Sequence, residues 1–210
     1  MTTIDDLRQS VIEGEEERTE SLVKQAMTEG LPPEQILKEG LIAAMTEVGR
    51  LFEAGEYYVP EMLISARAMK SGLTLLRPQL AAANVQAVGK VVIGTVQGDL
   101  HDIGKNLVGM MLEGAGFEVI DLGVDVSAQK FVDAVKEYQP DLIGCSALLT
   151  TTMPRMKDVV EALKQSGLRD NVKVMIGGAP ITDKYAHDIG ADIYAPDAAS
   201  AAARAKSSLS

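Results

Sequence analysis

The sequence predicts an α/β protein in which an all-α helical bundle precedes a five-stranded parallel sheet. Before residue 85, apolar residues recur only at the three- and four-residue spacing of helices. After residue 90, short strand-like runs alternate with helical patterns, as in parallel sheets built from right-handed crossovers. The stretch AAANVQAVG (81–89) is a plausible linker, so we predict a helical domain at 1–85 and a sheet domain at 90–210.

The first half predicts four or five helices with short connections, which suggests an antiparallel bundle. Apolar residues such as Leu37, Leu41 and Val48 lie on one face of the third pattern. Glycine and proline interrupt the patterns at 30–33 and 54–56. The predicted helices are 4–13, 15–29, 33–53 and 59–80.

The second half predicts five strand–helix units, which fit a Rossmann-like (flavodoxin-like) domain. The strand-like runs are 90–96, 117–123, 141–148 and 172–178, with a weaker run at 191–196. The helical patterns between and after them are 104–115, 127–138, 153–166, 182–189 and 197–207.

Composition narrows the class of partner. The formal net charge of −10 argues against nucleic acid and against an anionic membrane surface, because both are bound through a surplus of Lys and Arg. No apolar run approaches the ~20 residues of a membrane span. Cys145 is the only cysteine, and the N-terminus is polar and acidic, so we expect a cytoplasmic protein.

The loop after the first predicted strand carries the strongest candidate site. Ligands of open parallel sheets bind outside the carboxyl ends of the strands. There, Asp99 precedes His101 by two residues and could accept its Nδ1–H, which would leave Nε2 as a lone-pair donor to a metal. A surface histidine without a partner is the alternative. Zinc is poorly supported because His187 and Cys145 are the other soft or borderline donors, whereas a macrocycle leaves only an axial position to fill.

Two later loops agree with a site at this edge. Residues 146–152 are rich in hydroxyl groups, although Thr152 could simply cap the helix that follows. Gly177 and Gly178 keep the backbone bare, as a bulky ligand or a tight turn would require. No G-x-G-x-x-G follows the first strand and no Walker A pattern is present, so a dinucleotide site is not predicted.

These motifs together resemble those of cobalamin-binding proteins. Residues 99–104 match their D-x-H-x-x-G signature, residues 146–148 match S-x-L, and residues 177–178 match G-G, in the expected order. Residues 48–61 resemble the helical cap of the methionine synthase cobalamin module. In size, the chain resembles the stand-alone corrinoid proteins of bacterial and archaeal methyltransferase systems.

The resemblance implies roles for individual residues. His101 would be the lower axial ligand of cobalt, with Asp99 as its hydrogen-bond partner and Thr152 completing a proton relay in the place of a frequent serine. Phe52 and Val59 would cover the upper, methyl-bearing face, where many relatives have leucine at the second position. The other implied cofactor-binding residues are Gly98, Asp102, Ile103, Gly104, Ser146, Leu148, Thr150, Gly177, Gly178, Asp197 and Ala198.

The function implied by the resemblance is a corrinoid methyl carrier that is not catalytic alone. Its cofactor, cobalamin or a related corrinoid, would cycle between cob(I)alamin and methylcobalamin. Its partners would be a substrate-specific methyltransferase, an acceptor methyltransferase using tetrahydrofolate or a thiol, and a reductive activase. A cobalamin-dependent regulator is the main alternative; a mutase small subunit and a phosphoacceptor domain fit less well. The methyl donor stays open among methoxylated aromatics, methylamines, glycine betaine and methanol.

Overall fold

The structure, a computed structural model, describes residues 2–209. The chain forms two compact units. One comprises the residues up to Ala87 with Glu113–Gly116, and the other comprises Val88–Leu112 with the residues from Phe117 onward. Within the described residues, no helix is both long and apolar enough to cross a membrane.

The first unit confirms the helical half that the apolar spacing predicts. Its helices are Thr3–Ile12, Glu16–Thr28, Pro33–Gln35, Ile36–Ile42, Ala43–Glu53 and Val59–Ala82. The middle three are consecutive and correspond to the predicted helix 33–53, with a π-helical turn at Ile36–Ile42 that a 3.6-residue pattern does not reveal. Gly40 lies in this turn, and a Cβ there would come within 2.7 Å of the Leu7 side chain, so glycine permits close packing.

The interior of the helical unit is apolar with a few paired polar groups. Ser10 and Thr19 are buried, and their hydroxyl oxygens lie 2.9 Å apart. The Ser65 hydroxyl donates to the carbonyl of Ile12 at 2.9 Å. A buried polar group costs free energy when it has no hydrogen-bond partner, and these groups avoid that cost because they are paired. The largest fully buried side chains of this unit are Leu7, Ile36, Leu41, Met45, Met62, Met69 and Leu76.

The second unit is built on a five-stranded parallel sheet, as the alternating pattern predicts. The strands are β1 (Lys90–Thr95), β2 (Glu118–Asp121), β3 (Leu142–Ser146), β4 (Lys173–Gly177) and β5 (Ile193–Ala195). Their order is β2-β1-β3-β4-β5, which is the flavodoxin-like order. The predicted strand-like runs extend past these bounds. Apolar residues continue beyond the strand ends, but they lie in the exit loops and are not part of the sheet.

Helices cover both faces of the sheet. Val92 of β1 and Ile143 of β3 belong to one buried cluster with residues of the helices Ala128–Tyr138 and Pro154–Gln165. Ile93 faces the other way, and a Cβ on Gly109 of the helix Ile103–Gly114 would lie 2.9 Å from it. The remaining helices are Asp183–Ile189 and Ala198–Ser208, with a short 3-10 turn at Arg169–Asn171. All the predicted helices of this half are therefore present, with ends within two residues of the prediction.

Candidate functional site

The strand order creates a crevice at the carboxyl edge of the sheet. β1 and β3 are neighbours, but β1 leads on to β2 at one edge and β3 leads on to β4 on the other side. Their exit loops therefore diverge, and open α/β sheets bind ligands at such a point. The residues after β1, 97–102, and those after β3, 147–153, meet there.

Asp99 joins the two loops through its carboxylate. Its side chain is fully buried. Oδ1 accepts the backbone N–H of His101 at 3.0 Å and lies 2.7 Å from His101 Nδ1. Oδ2 accepts the N–H of Leu148 at 2.8 Å, and the N–H of Leu149 lies 3.4 Å from it. The Thr152 hydroxyl oxygen is 2.7 Å from the same atom. One carboxylate thus connects the exit loops of β1 and β3.

This arrangement fixes the charge of Asp99. Burial acts to raise the pKa of the carboxyl group, because desolvation disfavours the charged form. The hydrogen bonds from Thr152, from the backbone and ring of His101 and from the Leu148 N–H outweigh burial and hold the pKa of Asp99 well below its usual range. Asp99 is therefore an ionised acceptor at neutral pH.

The ionised carboxylate also fixes the tautomer of His101. A carboxylate accepts hydrogen bonds and cannot donate one, so Nδ1 of His101 carries the proton. In the neutral ring this leaves the lone pair on Nε2, which has no hydrogen-bond partner among residues 2–209. The side chain of His101 is 51% exposed, and the Thr95 hydroxyl donates to its backbone carbonyl at 2.9 Å. The predicted Asp99–His101 pair thus has the geometry of an oriented metal ligand.

Thr152 serves Asp99 and does not cap a helix. The residue at the start of the helix Pro154–Gln165 is Met153, with helical dihedrals and no side-chain capping bond. The capping alternative for Thr152 is therefore wrong, because its hydroxyl is taken by the buried carboxylate, a stronger acceptor than a neutral group. The hydroxyl oxygen also lies 3.0 Å from the carbonyl of Leu149.

Large apolar side chains are exposed around His101, an arrangement that a flat apolar ligand would cover. Leu100 is 71% exposed and Ile103 is 80% exposed, and Leu148 and Leu149 are also exposed. Exposed apolar groups gathered at one edge indicate a binding surface. The described residues contain no group of three or more His, Cys, Asp or Glu side chains that could hold a bare metal ion. A single histidine fits a metal whose other positions are filled by a macrocycle.

The glycine pair has an internal structural reason. Gly178 has φ +133°, and a Cβ there would lie 1.9 Å from the carbonyl oxygen of Ala147. A Cβ on Gly177 would lie 2.7 Å from the carbonyl oxygen of Ala195. The Gly178 carbonyl also accepts the N–H of Ile181 at 3.0 Å, which closes a tight turn. The turn alternative accounts for Gly178, and a contact of this pair with a ligand stays a prediction.

The other predicted residues of the sheet unit lie at its carboxyl edge in varied settings. Ser146 ends β3 and is paired in register with Gly177, while Thr150 is exposed in the loop beyond. Asp102 accepts the side-chain amide of Asn106 at 3.1 Å. Asp197 caps the last helix by accepting the Ser200 N–H at 2.8 Å, and the Ala198 side chain is buried. Their predicted contacts with a cofactor stay predictions.

The two predicted cap residues belong to the helical unit. Phe52, near the end of Ala43–Glu53, is half-buried. Val59, the first residue of Val59–Ala82, is 39% exposed. Neither side chain is wholly taken up by the core of its own unit, and their predicted role stays a prediction.

Sequence reasoning missed residues that support the His101 loop from the side of β2. The Asp125 carboxylate accepts the N–H of Gly98 at 2.7 Å, and the Asp125 N–H donates to the Asp99 carbonyl at 3.1 Å. Lys105 is buried and forms an ion pair with Asp121. The available signal was that Asp121 ends a strand and Asp125 follows it at the same edge of the sheet.

Comparison with family models points to one cofactor class. A model described as a B12 binding domain matches residues 89–204. A second model with the same description matches residues 3–77. The two matches fall on the sheet half and on the helical half.

Individual proteins resemble the chain over nearly its whole length. Dimethylamine corrinoid protein 3 of Methanosarcina acetivorans is 48% identical over 200 residues, covering 95% of this chain and 93% of that protein. The trimethylamine corrinoid protein of Methanosarcina barkeri is 42% identical over 204 residues, covering 96% of this chain and 94% of that protein. Among solved structures, the methanol:cobalamin methyltransferase complex of M. barkeri matches with a TM-score of 0.88 and 30% identity, covering 99% of this chain and 79% of the matched chain.

Proposed function

This chain belongs to the family of corrinoid proteins with a B12 binding domain, and we propose that it carries methyl groups between two methyltransferases. It is a corrinoid methyl carrier of a methyltransferase system. The proposal adds the order of events: a substrate-specific methyltransferase loads the carrier, and a second methyltransferase unloads it onto tetrahydrofolate or a thiol. We propose that the carrier works in the cytoplasm and that a reductive activase restores it after oxidation.

The proposed ligand of cobalt is Nε2 of His101. The observation that carries this assignment is the 2.7 Å contact between Asp99 Oδ1 and His101 Nδ1, since it directs the lone pair to the opposite nitrogen. Bound cobalamin would supply the cobalt atom that takes up and releases the methyl group. The protein supplies orientation and charge. Asp99 Oδ1 accepts the Nδ1 proton of His101, and the Thr152 hydroxyl donates to the other carboxylate oxygen, Oδ2.

The remaining predicted residues, together with Leu100, which the sequence had not singled out, are proposed to hold the rest of the cofactor. The exposed side chains of Leu100 and Ile103 offer an apolar surface beside His101, which would keep water from the lower face of a bound corrin. Gly104 follows them, and a Cβ at this position would meet nothing within 4 Å, so the surface there is open. The loops at 146–150 and 177–178 are proposed to receive the displaced nucleotide tail.

We propose an N-methylated amine as the class of methyl donor. The relatives named for dimethylamine and trimethylamine are 48% and 42% identical to this chain, whereas the matched chain of the methanol complex is 30% identical. Recognition of the donor itself is assigned to the partner methyltransferase.

Methyl transfer with purified components tests the carrier function. The protein, loaded with cobalamin and reduced, is incubated with donor alone and then with the methyltransferase for dimethylamine, trimethylamine or methanol. Methylation of the cofactor is monitored by its visible absorption. We expect it only when a methyltransferase for a methylated amine is added. Demethylation of any donor by the carrier without a methyltransferase would refute the carrier function. If only the methanol methyltransferase, among the enzymes tested, methylated the bound cofactor, the proposal of a methylated amine as donor would be refuted.

A further inference from the structure

The segment that leaves β2, Asp121–Asp125, contacts both ends of the loop that carries His101. On the near side, the Asp125 carboxylate accepts the Gly98 N–H at 2.7 Å. The backbone N–H of Asp125 donates to the Asp99 carbonyl at 3.1 Å. Asp125 thus holds the two residues that precede Leu100 and His101 by both its side chain and its backbone.

On the far side, the same segment reaches the start of the helix Ile103–Gly114. Lys105 is buried and forms an ion pair with Asp121, and its Nζ donates to the Asn106 side-chain oxygen at 2.7 Å. Asn106 donates in turn to the Asp102 carboxylate at 3.1 Å. The His101 loop is therefore attached to the β2 exit segment both before and after the histidine.

The loop itself has little apolar packing to hold it in place. Gln97, Gly98, Leu100 and His101 are all exposed. Loops with exposed side chains take their position from hydrogen bonds, and they open easily when these are lost. Gly98 has φ +82°, a region that non-glycine residues rarely adopt, so the turn also depends on a flexible residue that needs an external restraint.

We propose that Asp125 is a positioning residue for cobalt ligation: it holds the Gly98–Asp99 turn so that His101 Nε2 is presented at a fixed place. The proposal rests on the proposed role of His101 as axial ligand. Asp125 acts through the Asp99–His101 turn and does not itself touch the metal. Its backbone has φ +53°, a conformation in which Asp and Asn are enriched. The competing explanation is that Asp125 is present only because the turn tolerates it.

Glycine and asparagine substitutions separate these explanations. Asp125→Gly keeps the backbone conformation and removes the acceptor, whereas Asp125→Asn keeps an oxygen acceptor and the tolerated conformation. Gln139 also has a positive φ, +48°, and ends the helix Ala128–Tyr138, so Gln139→Gly is a matched control for the backbone change. Because Gly98 is exposed, water can replace the lost acceptor, and all of these variants should fold.

The readout is electron paramagnetic resonance of cob(II)alamin bound to the protein. The protein is produced with histidine labelled with the heavy nitrogen isotope, 15N, and the cofactor is unlabelled. An axial histidine nitrogen then splits each cobalt hyperfine line into a doublet. The cofactor's own unlabelled benzimidazole would instead split each line into a triplet. Thermal unfolding of the cofactor-free variants is recorded in parallel.

We expect the ratio of histidine-ligated to unligated cobalt to fall on the order of fivefold in Asp125→Gly, the effect of one lost hydrogen bond. Asp125→Asn and Gln139→Gly should keep the wild-type doublet. A full doublet in Asp125→Gly would overturn the proposal, as would an equal loss in Gln139→Gly. A wild-type protein without any doublet would instead refute the assignment of His101, and so the two failures are distinguishable.

Discussion

At the scale of single residues, Asp99 is the organising group of the site. It is a fully buried carboxylate that accepts hydrogen bonds from His101, Leu148 and Thr152. Several donors compensate its desolvation, which is why it remains charged. Its charge then determines which nitrogen of His101 is free. The chemistry of the histidine is thus set by a residue that would not contact the metal.

Replacing Asp99 by Asn should destabilise the protein by about 3 kcal/mol at neutral pH, because an amide group would face donors that now share an ionised acceptor. The pKa of Asp99 is lowered in the folded state, so its stabilising effect is present above the unfolded-state pKa of about 3.9 and is lost as the pH falls below it. The unfolding free energies of wild type and Asp99→Asn, measured in urea, should therefore begin to converge below about pH 4 and draw closer as the pH falls toward the lowered folded-state pKa.

The exposed Asp133, which accepts the Gln129 side chain at 2.8 Å, provides the control for this prediction. Asp133→Asn should stay within about 0.5 kcal/mol of wild type across the same pH range. An equal cost for the two substitutions, or a gap between Asp99→Asn and wild type that does not depend on pH, would contradict the account.

Cys145 gives a second prediction at this scale. Burial in β3 raises the pKa of its thiol to about 12. Since the thiolate is the nucleophile, a disulfide reagent should not modify the folded protein at neutral pH and should react fully once urea unfolds the chain. The modification is monitored by absorbance. Rapid modification under native conditions would show that the thiol is accessible and that Cys145 is not buried in β3 as described.

At the scale of elements, the sequence predicts which segments form strands better than where the strands end. The predicted strand-like run 141–148 continues through Ala147 to Leu148, yet β3 stops at Ser146. Leu148 and Leu149 turn away, and their N–H groups point at Asp99 instead of at a neighbouring strand. Such an end depends on a partner 49 residues away in the chain, so no local pattern contains it.

The motif glycines differ in what they do for the elements around them. A Cβ on Gly178 would collide with the Ala147 backbone, and its φ of +133° is itself unfavourable for other residues. Gly178→Ala should therefore cost more than about 3 kcal/mol. A Cβ on Gly104, in the helix Ile103–Gly114, would meet nothing within 4 Å. Gly104→Ala should leave the melting temperature unchanged or raise it, because alanine favours helix, while cobalamin retention falls.

Melting of the cofactor-free proteins and gel filtration after loading check both halves of this prediction. If Gly104→Ala retained cobalamin as wild type does, the proposed contact of this surface with the corrin would be wrong. If Gly178→Ala unfolded at the wild-type temperature, the close backbone contact described for Gly178 would be wrong.

The helical unit carries the fourth prediction. If Phe52 has the cap role predicted from the resemblance, Phe52→Ala should bind cobalamin but lose the methyl group faster under light, because a methyl radical escapes a loosened cage before it recombines. A pure core role would instead cost on the order of 3–5 kcal/mol and leave photolysis unchanged. Melting temperature and photolysis rate on the same variant decide between the two.

At the scale of the whole molecule, the sequence predicted the helical half, the parallel sheet and the cofactor class. Periodicity reports burial, and D-x-H-x-x-G places chemistry at a strand end, so both are visible locally. The resemblance implied that Thr152 serves Asp99, but the local pattern alone left helix capping open, since the contact joins residues 53 positions apart in the chain. It also gave no role to Asp125 or to the Lys105–Asp121 pair, because these contacts join the exits of two different strands.

The central claim is that one histidine, oriented by a buried carboxylate, ligates the cobalt of a bound corrinoid. The visible absorption spectrum of protein loaded with methylcobalamin tests it most directly, because the long-wavelength band moves to shorter wavelength when the lower nitrogen ligand is lost. His101→Ala should show this shift, whereas replacement of His187, the other histidine, whose side chain is 91% exposed, should leave the spectrum of wild type. An unchanged spectrum in His101→Ala would contradict the claim.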